Sequence, residues 1–295
     1  MRRTTKRKIS PAAFERTRRR LLSLAIMTGA LACVSRTAWA QTMDSSKLEL
    51  TLRSARIWWD RMTSEPDPGE KGMRVILLGA PGSGKGSVGD LVRSAYGFPK
   101  ISTGDLLRDA VQKKTPLGLQ AASQMGKGGL VDDALVLALL RERLAGLDCR
   151  IGYILDGYPR NLSQAKDLES LDGGRREIVF LIDVREDVVA RRIGSRRLCP
   201  GCEAIYNVIT KKPAREGVCD GCGTSLVQRQ DDRPELVPER LKTYHAKTEP
   251  LIAYYEAKGV LHRIDGNGTI EETFRPIRLV LDGVLRGTED TQVRP

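Results

Sequence analysis

The chain has 295 residues, room for one or two domains, and a soluble globular composition: 40% apolar, 29% charged and only 5% aromatic. Its formal charge of +12 suggests an anionic partner until its location is read. Ten Lys and Arg lie within residues 1–40 against the single acid Glu15, so the basicity belongs to one end and excludes calling the whole chain a nucleic-acid binder on charge alone.

That end has the anatomy of an export signal. A basic segment closing on Thr17-Arg18-Arg19-Arg20 precedes an uncharged run from Leu21 to Ser35, and Ala38-Trp39-Ala40 offers a small-x-small cleavage pattern. The paired arginines resemble a twin-arginine signal. A membrane-spanning helix takes about 20 residues. The uncharged run is shorter, so no stable membrane insertion is expected. Two other readings stay open: an organellar transit segment, or an untranslated stretch ahead of a natural start at Met73. Residues 41–72 hold a candidate helix from Lys47 to Met62 and a linker, Ser64-Glu65-Pro66-Asp67-Pro68-Gly69.

Next in the chain, Val75-Ile76-Leu77-Leu78 runs into Gly79-Ala80-Pro81-Gly82-Ser83-Gly84-Lys85-Gly86-Ser87. Strand, glycine-rich turn, then a helix starting at lysine is the arrangement of a phosphate-binding loop. The glycines let backbone N–H groups converge on phosphate oxygens, and the following helix presents its positive end to the same anion. Lys85 would reach the outer phosphates, and the Ser87 hydroxyl is a candidate Mg²⁺ contact. Gly86 stands where the general pattern has its hydroxyl, which comes one place later. Val88 follows, on the helix.

Apolar runs at 73–78, 151–155, 178–183 and 260–264 read as buried parallel strands, each followed by a helical pattern. The alternation predicts a doubly wound α/β sheet with ligands at the strands' carboxyl ends. Two stretches interrupt it: 102–131, helical throughout, and 197–232, rich in Gly, Pro and Cys. Asp156 ends the second strand, well placed to organise Mg²⁺ through water, with a helix N-cap as the alternative role.

Within the second interruption, Cys199-Pro200-Gly201-Cys202 and Cys219-Asp220-Gly221-Cys222 form two knuckles sixteen residues apart. Such pairs bring four thiolates to the corners of a tetrahedron around Zn²⁺; two disulfides or four free thiols are the alternatives. With every position filled, the metal would be structural, stiffening a lobe that cannot build its own core. Cys149 reads as a packing residue and Cys33 has no visible partner. Pro234 and Pro238 stand four apart where the helix carrying Arg240 begins, which predicts a start near Pro238 with 233–237 extended or in a turn.

Taken together, Gly79–Ser87, Ile101–Arg108, Gly128–Val136, Asp156–Arg160 with Gln164, Arg191–Arg197, the four-cysteine lobe, Arg229–Asp232 and Arg240 resemble the adenylate kinase family, in its long-lid, zinc-bearing bacterial form. The resemblance runs from about 73 to 286, leaving 287–295 as a tail. It implies a P-loop NTPase-type parallel sheet with helices on both faces: a core of 73–101, 132–196 and 233–286, a helical monophosphate-binding flap at 102–131, and a zinc lid at 197–232. The activity it implies is ATP:AMP phosphotransfer giving two ADP, with Mg²⁺ accompanying ATP.

By the same resemblance, Gly82, Ser83, Gly84, Lys85, Gly86 and Ser87 hold ATP together with Arg192, Arg196, Ile205, Tyr206 and Gly268. Thr103, Arg108, Gly129, Leu130, Val131, Gly157, Tyr158, Pro159, Arg160, Gln164, Arg229 and Arg240 border AMP. Lys85, Arg160, Arg196, Arg229 and Arg240 carry the transfer, and Asp231 and Asp232 hinge the lid beside those arginines. Planar guanidinium forks suit this work, because they grip phosphate bidentately. His245 and His262 read as structural, and the acceptor phosphate needs no general base. Family members with this lid are monomers, and their partners are the nucleotides, without nucleic acid. The rival reading is a non-catalytic zinc-knuckle binding module, or a kinase preferring another base. Substrate supply and reduced thiols favour the cytoplasm, while residues 1–40 favour export.

Overall fold

The computed structural model describes residues 72–125 and 131–286; the signal-like segment, the extension up to 71, Gly129, Leu130 and the tail from 287 lie outside the described residues. The apolar run that opens this span forms β1 (Met73–Leu78), buried at every position. Its side chains part to opposite faces: Val75 and Leu77 join one core cluster, Ile76 and Leu78 the other. A strand covered on both faces has no polar side to present, so it reads as a continuous apolar run.

In chain order follow α1 (Lys85–Tyr96), β2 (Lys100–Ser102), α2 (Thr103–Gln112), α3 (Pro116–Met125), α4 (Asp133–Leu144), β3 (Gly152–Asp156), α5 (Leu162–Leu171), β4 (Arg176–Asp183) and α6 (Glu186–Gly194). An antiparallel ribbon of β5 (Arg196–Leu198) and β6 (Ile205–Asn207) comes next. Then come α7 (Val237–Thr243), a π turn at Tyr244–Thr248, α8 (Pro250–Ala257), β7 (Leu261–Asp265) and α9 (Ile270–Arg286).

The main sheet has the order β2-β3-β1-β4-β7 and is parallel throughout. Val88, Val92, Ile193, Ile277 and Val280 cover one face from α1, α6 and α9; Leu107, Leu140, Leu168 and Leu251 cover the other from α2, α4, α5 and α8. This is the expected doubly wound class. Strand order reverses at β1, where the chain first crosses to one edge and later to the other, so the crevice for ligands opens at that strand's carboxyl end.

Three local features refine the sequence expectations. β2 corresponds to no apolar run, because only Ile101 of its residues is buried; pairing of Ile101 with Leu155 makes it a strand. Val88 lies wholly buried in the core, a position that an apolar side chain suits. The helix carrying Arg240 starts at Val237 after a single 3-10 turn at Pro234–Leu236, with Pro238 in the first turn, where its missing N–H costs nothing.

Candidate active site

The chain leaves β1 into the glycine-rich loop, and α1 begins at Lys85. Gly82 sits at φ +81, and a Cβ there would meet Ile193 Cγ1 at 2.6 Å, so only glycine fits both the turn and the packing. Lys85 Nζ donates to the carbonyls of Gly79 and Ala80, each at 2.7 Å, and to Ser83 Oγ at 3.3 Å. The ammonium is thus held over the loop. Burial pushes its pKa down to about 8; Asp156 works against that fall, while Arg160, Arg196 and Arg240 add to it.

Asp156 closes β3 in register with Leu77 and Ser102 on the neighbouring strands, which sets it opposite the loop. A Cβ on Gly86 would lie 3.1 Å from Ile205 Cδ1 and 3.4 Å from Asp156 Oδ2. A side chain there would press on Ile205 and touch Asp156; Ser87 lines the cleft one residue later. A hard carboxylate facing a phosphate loop matches the oxygen-donor chemistry that Mg²⁺ requires.

The arginines converge from distant parts of the chain. Arg196 makes a bidentate pair with Asp232, with Nε to Oδ2 at 2.7 Å. Arg240 Nη1 donates to the same carboxylate at 2.8 Å and to the Asp231 carbonyl at 2.6 Å. Arg160 Nε donates to the Gly157 carbonyl at 2.8 Å, and Thr103 Oγ1 to the same oxygen at 2.8 Å. Arg108 pairs with Asp105, whose Oδ1 also lies 3.4 Å from Arg229 Nη2. Burial, with the charges of Arg108 and Arg196, lowers the Arg229 pKa to about 10, and its Nε is buried without a protein partner. A half-buried cluster with surplus positive charge and an unfilled donor is complementary to a polyanion.

At the far end of the cleft, Arg192 is clamped by backbone carbonyls, Gly266 at 2.8 Å and Gly268 at 3.1 Å, which fixes its guanidinium plane. Gly82 to Ser87, Thr103, Arg108, Val131, Asp156, Gly157, Pro159, Arg160, Gln164, Arg192, Arg196, Ile205, Tyr206, Arg229, Arg240 and Gly268 all line this one cleft. Tyr158 does not: its ring is turned fully into the core, leaving Gly157 and Pro159 at the surface of the cleft. Neither histidine lines it. His245 lies 2.9 Å from both Glu186 and Glu249, and the His262 ring packs tilted against Phe180 with centroids 5.5 Å apart.

Sequence reading passed over Asp105, Asp133 and Asn161. Asp105 had a signal: it sits inside the matched Ile101–Arg108 block, with its N–H capped by Ser102 Oγ at 3.2 Å and Arg108 three residues on. Asp133 had the same kind of signal, lying inside the matched Gly128–Val136 block, and Asn161 a local one, standing at the N-cap three residues before Gln164; the bonds of Asp133 to both cross the fold.

The four cysteines gather at the end of the ribbon. Their Sγ atoms all lie within 4.8 Å of one another, with Cys199–Cys222 at 3.3 Å and Cys202–Cys219 at 3.5 Å. A tetrahedron of sulfurs about 2.3 Å from a metal has edges of about 3.8 Å, whereas a disulfide closes to about 2.05 Å. The group therefore fits a tetrahedral metal. The two knuckles share one backbone turn: Cys199 N–H bonds the Ala204 carbonyl and Cys219 N–H the Thr224 carbonyl, with Glu203 and Gly223 at positive φ. Tyr206 Oη stands 3.5 Å from Cys219 Sγ, a neighbour that orients the thiolate.

The model for the family described as adenylate kinase matches residues 77–260, a span holding the loop, Asp156, all four cysteines and Arg240. The chain belongs to the adenylate kinase family. It is 42% identical over 215 residues to the adenylate kinase of Geobacillus sp. (strain WCH70), covering 72% of this chain and 100% of that one. It is 45% identical over 213 residues to the adenylate kinase of Thermodesulfovibrio yellowstonii, covering 71% and 99%. It is also 45% identical over 218 residues to that of Archaeoglobus fulgidus, covering 72% and 99%. The adenylate kinase match leaves out β7 and α9, although Gly268 between them contributes to the cleft.

Proposed function

We propose that this chain catalyses reversible transfer of the terminal phosphoryl group of ATP to AMP, giving two ADP. The observation that carries this reading is the convergence of Lys85 with Arg108, Arg160, Arg196, Arg229 and Arg240 on one cleft, in a chain of the adenylate kinase family. Phosphoryl transfer asks for two polyanions held in line, their charge offset and water kept out. The loop N–H groups and Lys85 cradle the ATP phosphates, with Arg192, Ile205, Tyr206 and Gly268 bordering its base. Arg108 and Arg160 hold the AMP phosphate; Thr103, Val131, Gly157, Pro159 and Gln164 seat its nucleoside. Arg196, Arg229 and Arg240 close on the group in transit. Mg²⁺ arriving with ATP would be held through water at Asp156 beside Ser87 and supplies charge neutralisation.

We assign 102–131 as a flap and 197–232 as a lid that close over the core. Zn²⁺ in the four-cysteine site would stiffen the lid, whose core cluster has only Cys199, Tyr206 and Cys219 as buried members. Replacing Cys199 and Cys202 together with serine is expected to abolish the bound zinc measured by metal analysis. The melting temperature should fall by several degrees, while turnover in the cold is largely kept. Unchanged zinc content would overturn the assignment. The monomeric state implied by the resemblance is part of this reading. We place it in the cytoplasm, where ATP, AMP and reduced thiols coexist; export as a folded, metal-loaded protein is the alternative that residues 1–40 suggest.

Initial rates of ADP formation from ATP and Mg²⁺ with AMP, CMP, UMP or GMP test the reading. Fast turnover with AMP and slow turnover with the others is expected; a folded sample inactive on all four would remove it. In the same assay, kcat/KM for ATP should fall about tenfold per unit above about pH 8, as Lys85 of the free protein loses its proton. The kcat should hold to higher pH, because bound phosphates favour the ammonium. A flat kcat/KM to about pH 9.5 would exclude that titration.

A further inference from the structure

Gln164 lies in the first turn of α5, almost wholly buried, with its side chain on the cleft wall. A carboxamide is nearly symmetrical in shape, so a free one turns over and offers either its oxygen or its nitrogen. This one is tied at both ends. Oε1 accepts from the Arg160 N–H at 2.7 Å, and Nε2 donates to Asp133 Oδ1 at 2.7 Å. Turning it over would set NH₂ against N–H and C=O against a carboxylate.

Asp133 is held in its turn. Asn161 Nδ2 donates to both of its oxygens, at 3.1 and 2.9 Å. Asn161 cannot reverse either, because its Oδ1 caps α5 by accepting from the Gln164 N–H at 2.8 Å. The polarity of the series therefore runs without ambiguity from a helix cap to the amide on the cleft wall.

What remains free on Gln164 is one N–H and one lone pair, in a set order. A base edge with a ring-nitrogen acceptor beside an exocyclic amine is complementary to that order. The oxo edge, a carbonyl beside a ring N–H, requires the amide reversed. We infer that Asp133 is a positioning residue that fixes the Gln164 amide, so that the monophosphate pocket takes the amino edge and refuses its oxo counterpart. This rests on the reading of the cleft around Gln164 as the monophosphate site.

AMP and IMP differ only at this edge, which makes them the test pair. In Asp133→Asn the neighbour offers a donor as well as an acceptor, so that only the Arg160 N–H still opposes the reversed amide. The ratio of kcat/KM for AMP to that for IMP is expected to fall at least about tenfold, with KM for ATP unmoved. Asp133→Glu, which keeps an acceptor-only group, should retain the wild-type ratio. A merely structural role would depress both substrates together, so an unchanged ratio in Asp133→Asn overturns the inference. If circular dichroism shows that variant unfolded, Asp133→Ser poses the same question with a hydroxyl that donates or accepts. A wild-type protein inactive on AMP would instead remove the underlying function.

Discussion

Replacing Lys85 with methionine is expected to lower kcat/KM for ATP by about 10³-fold or more and to leave the melting temperature level or slightly raised. The two effects separate because of where the ammonium sits. It is half-buried above the phosphate loop, bonded to the Gly79 and Ala80 carbonyls and Ser83. Burial holds its pKa at about 8, below that of a free lysine, so folding works against the charged form at neutral pH. Methionine keeps most of the volume and relieves that cost. It cannot, however, offset the charge that develops between the two nucleotides. Calorimetry and initial rates on the same preparation check both halves. Activity within tenfold of wild type would sink the role given to Lys85.

Asp232→Asn is expected to destabilise the fold by about 3 kcal/mol and to cut turnover as well. Asp232 is fully buried and serves two cations at once, Arg196 through both oxygens and Arg240 through one. Burial alone would raise its pKa, but the hydrogen bond and charge of Arg196, then the charge of Arg240, outweigh it and hold the carboxyl below its usual range. A carboxyl depressed in the folded state stabilises fully above its unfolded pKa of about 3.9, and that contribution fades as pH falls through the folded value. The stability gap between wild type and variant, read from urea unfolding, should therefore be wide at pH 7 and begin to close only below about pH 4. Equal stabilities at pH 7 would show that the two arginines are held by something else.

The fold was legible where its signal is local. β1 declared itself because a strand buried on both faces must be apolar at every position, and Met73–Leu78 is. β2 did not, because three residues with one buried side chain make no pattern; its partner β3 creates it. The phosphate loop and the cysteine knuckles were legible for a related reason. Their function lies in backbone turns a few residues long, and Gly82 or Cys199-Pro200-Gly201-Cys202 carries that geometry in its own spacing. Gly86 and Tyr158 mark the limit. The first meets its neighbours Ile205 and Asp156 only in the fold, and the second lies in a matched motif yet faces the core.

Residue types and short spacings therefore identified a strand-loop-helix that grips phosphate, a thiolate cage and a supply of arginines. They left open how those arginines are held. Arg196 meets Asp232 across 36 positions, Arg229 meets Asp105 across 124, and Gln164 meets Asp133 across 31. Such pairs depend on which helix covers which face of the sheet and on where each strand stops. Side chains reach only a few ångströms, so partners this far apart in the chain meet only once the whole sheet and its helices have assembled.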